Sequence, residues 1–93
     1  MEILGGIIGE PATSNIVVDT EGGIGTDELD TIGEGTTGDL LVLSTFSGRV
    51  VDVMNATGNL YLSTDFSMVS PLDKLVLISL GFDGWAELSR SSN

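Results

Sequence analysis

The sequence predicts an all-β protein: a compact antiparallel β-sandwich or barrel-like domain of six to eight short strands. Short runs rich in Val, Leu and Ile recur from residue 40 onward. Turn residues separate these runs at intervals typical of strands. No segment has the length and periodicity of a stable helix. The chain has 93 residues, so a single domain is expected.

The part of the chain before residue 40 is predicted to hold only short strands. Ile16 to Val18 and Leu29 to Ile32 are the candidates, and Glu2 to Ile8 is a weaker one. A helix starting at Thr26, a possible N-cap, would be stopped by Gly33 within about two turns. Residues 1–15 are therefore assigned to an N-terminal arm and residues 16–93 to the β domain.

Five further strands are predicted after residue 40. The sequence Asp83-Gly84 between the last two is typical of a type I′ hairpin turn, so these two strands should pair antiparallel. The runs at 40–43 and 75–78 are apolar on both faces. They should be covered on both sides, either in the centre of a sandwich or at a subunit contact. The predicted strands are Leu40 to Phe46, Val50 to Met54, Asn59 to Ser63, Lys74 to Phe82 and Trp85 to Arg90.

Charge is distributed unevenly along the chain. The formal net charge is −11, and residues 1–39 carry nine of the 14 acids, nine of the 13 glycines and no base. This composition favours an arm with short strands, or alternatively a solvated loop face. The acidic balance argues against nucleic-acid binding, which needs clustered Lys and Arg. No apolar run approaches the roughly 20 residues of a membrane-spanning helix.

The composition also gives little support for catalysis, a cofactor or a metal. Without His and Cys, the commonest general base and zinc ligands are missing. Residues 33–38 match GxGxxG, but a strand rather than a helix is predicted to follow, so a turn is favoured over a nucleotide site. The acids between Asp27 and Asp39 lack the spacing of a calcium loop and are interpreted as solvated charge.

The three basic residues and the single Trp are candidate contact residues. Arg49, Lys74 and Arg90 each lie near the end of a predicted strand, where they could form salt bridges between subunits or remain simple surface charge. Trp85 follows a tight turn and is interpreted as a plug in the core or in an interface.

The order of several stretches resembles a small β domain found in structural proteins of tailed bacteriophages, in fibres and in head decoration (cement) proteins. The resemblance covers about residues 18–93 and rests on a spaced pattern of apolar and turn residues. It is carried by these stretches: Val18 to Gly22, Asp27 to Ile32, Gly38 to Leu43, Thr57 to Leu60, Asp65-Phe66, Asp73 to Ile78 and Trp85 to Ser91.

The resemblance implies a non-enzymatic virion protein that assembles as a homotrimer. Because the leader is short and no fibrous shaft is present, a capsid decoration protein is expected. It would be assembled in the bacterial cytoplasm, bind the major capsid protein on the outer capsid surface and stabilise the shell. The leader residues Ile3, Leu4, Ile7 and Ile8 would supply contacts. The alternative is a tail-fibre or head-fibre domain that binds a host receptor or glycan through loops around Asp65, Phe66, Asp83 and Trp85.

Overall fold

Ten short strands and two 3₁₀ turns make up the chain in a computed structural model that describes all residues, Met1–Asn93. The 3₁₀ turns are Glu21–Gly23 and Gly81–Asp83. None of its helices is long and apolar enough to cross a membrane. The strands are β1 (Ile7–Ile8), β2 (Asn15–Val18), β3 (Thr26–Leu29), β4 (Thr31–Ile32), β5 (Leu40–Thr45), β6 (Val50–Val53), β7 (Leu60–Tyr61), β8 (Phe66–Met68), β9 (Lys74–Ser79) and β10 (Trp85–Ser91).

The first six strands form two successive coils that lie side by side. Ile7 in β1 is opposite Thr31 in β4, Asn15 in β2 is opposite Val42 in β5, and Thr26 in β3 is opposite Val50 in β6. All three pairings are parallel, with offsets of 24, 27 and 24 residues between the partners. A connection of this length is what a parallel pair requires. The chain therefore winds once through β1 to β3 and again through β4 to β6.

The remaining strands turn back along these coils. β8 pairs antiparallel with β6, which completes a three-stranded sheet in the order β3-β6-β8. β9 pairs antiparallel with β5, and β10 with β9. β7 joins β10 in parallel, which completes a five-stranded sheet in the order β2-β5-β9-β10-β7. β1 and β4 form a separate two-stranded sheet.

The structure confirms the all-β class and corrects its details. There are ten strands rather than six to eight, and the sheets are mixed rather than antiparallel. The antiparallel pairing of β9 with β10 is confirmed, but the connection spans residues 80–84 and contains a 3₁₀ turn instead of a type I′ turn. The reason is local: Gly81 has φ +72°, its N–H donates to the Ser79 hydroxyl, and Leu80 donates to Gly84.

The core lies between the sheets and includes the start of the chain. Sixteen buried apolar side chains form one cluster, drawn from every strand and from Ile3 and Leu62 outside the strands. Full burial of such a side chain contributes about 1.5 to 3 kcal/mol. Ile3 is fully buried, and its N–H donates to Asp19 O over 2.9 Å. The predicted arm, residues 1–15, therefore packs against the domain of its own chain, with Ile3 and Ile8 inside the core.

One side chain joins the small sheet to the large one. The Asn59 amide donates to Ile32 O at 2.6 Å and accepts from Ile32 N–H at 2.9 Å. The Asn59 carbonyl in turn accepts from Trp85 N–H at 2.9 Å. The Asn59 side chain thus takes the place of a neighbouring strand at the end of β4. It satisfies the backbone N–H and C=O of Ile32, which neither sheet could pair.

Candidate functional site

The four predicted contact residues of the leader divide into two pairs. Ile3 and Ile8 are buried in the core, so they do not face a partner. Leu4 and Ile7 are exposed and lie at the two ends of a tight turn, where their backbone groups exchange two hydrogen bonds. The alternation of apolar residues at positions 3, 4, 7 and 8 did not reveal this, because the turn at Gly5-Gly6 decides which two point inward.

The two arginines pair with acids of their own chain. Arg49 Nε lies 3.0 Å from Asp19 Oδ1, and its guanidinium stacks 5.6 Å from the Phe46 ring centroid. Lys74 is half-buried and forms no ion pair within the chain. Of the three predicted donors of inter-subunit salt bridges, only Lys74 has a free charge.

Arg90 is the centre of a network that holds the loop before β8 against β10. Its Nε and Nη2 donate to both carboxylate oxygens of Glu87, at 2.7 and 2.8 Å. Nη2 also donates to Thr64 O at 2.7 Å, and the guanidinium lies 4.7 Å from the Phe66 ring centroid. Glu87 accepts in addition from the Ser63 N–H at 2.9 Å. The cluster is a structural clamp rather than a reactive site, since its donors and acceptors satisfy one another.

This network shifts the ionisation of both charged members. The hydrogen bond from Arg90 lowers the pKa of Glu87 to about 2, against the opposing effect of burial. The same contact raises the pKa of Arg90. A second carboxylate, Asp73, has its pKa lowered, first by the N–H of Asn93 and then by the N–H of Val69; burial opposes them. Both carboxylates are thus held in their charged form by hydrogen bonds.

Trp85 is a plug in the core, which decides between the core and the interface that its position after a turn left open, and it is not free to contact a partner. It is 2% exposed, and its indole N–H donates to Gly33 O at 3.1 Å. Gly35 lies against the ring so closely that an added Cβ would be 2.6 Å from Trp85 Cζ2. Gly33 and Gly35 therefore serve close packing, whereas Gly38 has open space around it and a φ of +92°. The stretch leads into β5 rather than into a helix. This geometry does not form a phosphate-binding loop.

A shallow cavity of about 330 Å³ opens beside Trp85. Its walls come from residues 10–14 and from the segment before β5, and they include the carboxylates Glu10 and Asp39. Trp85 is only 2% exposed, so the cavity has no flat aromatic platform. No group of three or more acids anywhere in the chain converges as metal ligands would.

The loops predicted to bind a receptor or glycan in a fibre domain present one unexpected aromatic side chain. Phe66 is buried beneath Arg90, and Asp65 accepts from Asn55 N–H at 2.7 Å, so both are structural. Asp83 is exposed. Its neighbour Phe82 is 89% exposed at the tip of the 80–84 loop. Sequence reasoning placed Phe82 inside a strand and missed it; its only signal was an aromatic residue between two glycines.

The most extensive unusual surface is the outer side of the five-stranded sheet. Leu41, Leu43, Leu75 and Leu77 point into the core, so the alternate residues of β5 and β9 point outward. We call these outward apolar residues of the sheet the apolar outer face. It consists of Val17, Leu40, Val42, Tyr61, Val76, Ile78, Ala86 and Leu88.

The register places the apolar outer face in continuous rows. Leu40, Ile78, Ala86 and Tyr61 are successive cross-strand neighbours on four strands. Val42 and Val76 form the next pair toward the other end of the sheet. Leu88 occupies a β-bulge, where the register shifts between Glu87 and Ser89, and about half of its surface is exposed. Apolar patches of this continuity on a monomer usually mark an interaction site.

The outer side of the three-stranded sheet has the opposite character. Its outward residues are Thr26, Glu28, Val50, Asp52 and Ser67. Ser67 donates to Asp52 at 2.6 Å, and Glu28 is exposed. No acid points outward from the five-stranded sheet, whereas two do so here. The molecule therefore has one apolar side and one acidic side.

Neither a family model nor any curated protein matches the sequence.

Proposed function

We propose that the chain is a bacteriophage virion structural protein, a capsid decoration (cement) protein that binds the major capsid protein on the outer surface and stabilises the shell. It acts as a homotrimer and has no enzymatic role, cofactor or nucleic-acid partner. The sequence resemblance over residues 18–93 supports this proposal, because its spaced pattern of apolar and turn residues coincides with the observed strands and turns. The stretches Gly38 to Leu43 and Asp73 to Ile78, for example, lead into and include most of β5 and β9.

The observation that carries the proposal is the pair of opposite sides. An apolar, acid-free side suits attachment to other protein subunits, and an acidic side suits exposure to solvent. An assembly that covers its apolar sides and turns its acidic sides outward matches a protein exposed on the surface of a shell. The net charge of −11 also favours the outside of a capsid over the inside, since packaged DNA would repel it.

A second candidate is a tail-fibre or head-fibre domain that binds a host receptor or glycan. Phe82 favours it, because an aromatic side chain 89% exposed on a loop tip is a suitable anchor for a receptor surface. The cavity beside Trp85, with its two carboxylates, offers polar groups for sugar hydroxyls.

Immunogold electron microscopy tests both candidates. Antibodies raised against the purified protein are applied to particles purified from the bacteria that produce it. Gold over the heads is expected for a decoration protein, and gold over tail or head fibres supports the alternative. Particles that show no more gold than with pre-immune serum would overturn both.

The role of the leader needs point substitutions rather than a deletion. Removing residues 1–15 would remove Ile3 and Ile8 from the core and unfold the domain. Leu4→Ser and Ile7→Ser change only exposed side chains. If the leader contacts the capsid, the double variant should fold normally but bind to particle heads less than the unmodified protein does. Fewer gold particles should then be counted over the heads. Equal labelling would remove the leader from the attachment surface.

A further inference from the structure

The strands β5 and β9 are built to be covered on both sides. Both strands place leucines in the core, and most of their outward residues are apolar as well. The outward apolar residues are Leu40, Val42, Val76 and Ile78, and the polar ones are Ser44 and Lys74 at one end. Strands that face water on one side normally carry polar residues there. In this chain the core covers the inner side, whereas on the outer side Leu40 is 50% exposed and Val42, Val76 and Ile78 are only half-buried. The second cover must therefore come from outside the chain.

The distribution of charge indicates which kind of molecule contacts the outer side. Two copies of a chain with a net charge of −11 repel one another over most of their surfaces. The outward side of the five-stranded sheet is acid-free, and Lys74 at its end is its only charged residue. Two copies can approach there without bringing carboxylates together. A hetero-partner would instead gain specificity from charge, which this side does not offer.

We propose that other copies of this chain cover the apolar outer face. This deepens the proposed homotrimer by naming its interface, and it leaves the leader or the loops to attach the assembly elsewhere. Leu40, Ile78, Ala86 and Tyr61 form one contact row, and Val42 and Val76 form the second. Leu88 in the bulge extends the contact beyond these rows.

The dimensions of the sheet fit three copies around an axis. Four inter-strand spacings give a width of about 19 Å, and six residues give a length of about 20 Å. A three-sided prism of that width places each sheet about 5.5 Å from the axis, close to half of the roughly 10 Å between packed sheets. Four copies would leave each sheet about 9.5 Å from the axis, with an empty centre. Three sheets thus fill the interior with their own side chains.

Sedimentation equilibrium with two matched variants tests the proposal. Val76→Glu adds a carboxylate to the outer side of the central strand β9. Val50→Glu adds the same carboxylate to the outer side of the central strand β6, in the other sheet. The unmodified protein should sediment as a trimer. V76E should weaken association by on the order of 100-fold, because a charge would be buried without a partner, while V50E should change it by less than about 3-fold.

Each sedimentation result tests the interface between copies of the chain, and it does so independently of where the protein lies in the virion. A monomer at about 200 µM, in salt of about 0.5 M to screen the net charge, would overturn the proposal. A monomer that co-sediments with purified capsids would assign the apolar outer face to the capsid, which also overturns it. Equal weakening by both variants would show that the contact lies elsewhere.

A second variant guards against misfolding of V76E. Leu88 is 55% exposed, so Leu88→Glu should retain the circular dichroism spectrum and thermal transition of the unmodified protein. It should still shift the sedimentation profile toward the monomer. If L88E folds normally and associates as tightly as V50E, the proposal is wrong whatever V76E does. Immunogold labelling of heads does not depend on these results, so the two proposals can fail independently.

Discussion

Replacement of Glu87 by Gln should destabilise the protein in a pH-dependent manner. The substitution keeps the shape of the side chain but removes the charge that Arg90 holds at 2.7 and 2.8 Å. The pKa of Glu87 is lowered from 4.5 to about 2, which at about 1.4 kcal/mol per pKa unit corresponds to at most about 3.4 kcal/mol. The Arg90 side chain is 26% exposed. Solvent screening therefore reduces the expected contribution of the ion pair to the free energy of unfolding to about 1 to 2 kcal/mol.

The sign follows from the lowered pKa. The carboxylate stabilises the folded state fully above pH 4.5, and this contribution is lost as the pH falls from 4.5 toward 2. At pH 7, E87Q should therefore unfold with a free energy about 1 to 2 kcal/mol below that of the unmodified protein. At pH 2 the difference should be below about 0.5 kcal/mol.

Urea unfolding followed by fluorescence provides the assay. Trp85 is the only Trp and is 2% exposed, so its emission reports loss of the core. Glu28→Gln is the control, because it removes the same charge from an exposed side chain that no donor contacts. It should leave stability within about 0.5 kcal/mol. An equal loss for E87Q at pH 7 and pH 2, or an equal loss for both variants at pH 7, would refute the ionic explanation.

Three further predictions concern the core, a close backbone contact and the C-terminus. Leu77→Ala should lower the free energy of unfolding by about 2 to 5 kcal/mol in urea titration, whereas exposed Leu4→Ala should change it by less than about 0.5 kcal/mol. Gly33→Ala should destabilise by about 1 to 3 kcal/mol in thermal unfolding, because its Cβ would overlap the backbone nitrogen of Glu10; Gly25→Ala, with open space around it, should not. Asp73→Asn should free the C-terminal residue and speed its removal by carboxypeptidase; in the unmodified protein this protection should hold above pH 3.8 and fade as the pH falls below it. Resistance equal to that of the unmodified protein would contradict the role of Asp73.

The strand positions could be predicted from local patterns, but their partners could not. The segments around β2, β5, β6, β9 and β10 follow from runs of Val, Leu and Ile between turn residues. β8 was missed, because Phe66–Met68 is three residues long and offers no alternation to detect. The parallel pairings were missed because partners 24 to 27 residues apart need no similarity in sequence.

The candidate site could likewise be predicted from the sequence only in part. That the runs at 40–43 and 75–78 need cover on both sides was a prediction from their composition, and it left the sandwich centre and the subunit contact open. Within the chain only one side of β5 and β9 meets the core, so the subunit contact stays a prediction. Phe82 could not be assigned from its neighbours, because Gly81 and Gly84 change the path of the loop that presents it.

The sequence by itself determined the class of the protein: short apolar runs and frequent turns form strands, and the lack of His and Cys removes the commonest catalytic and metal-binding groups. It also determined the uneven charge, with nine acids and no base in residues 1–39. Only the tertiary structure decided that Ile3 and Ile8 lie in the core, that Arg49 and Arg90 pair within the chain, and that the outer side of the large sheet is free of acids. The physical reason is that strand formation depends on neighbouring residues, whereas burial and ion pairing depend on which distant segments the fold brings together.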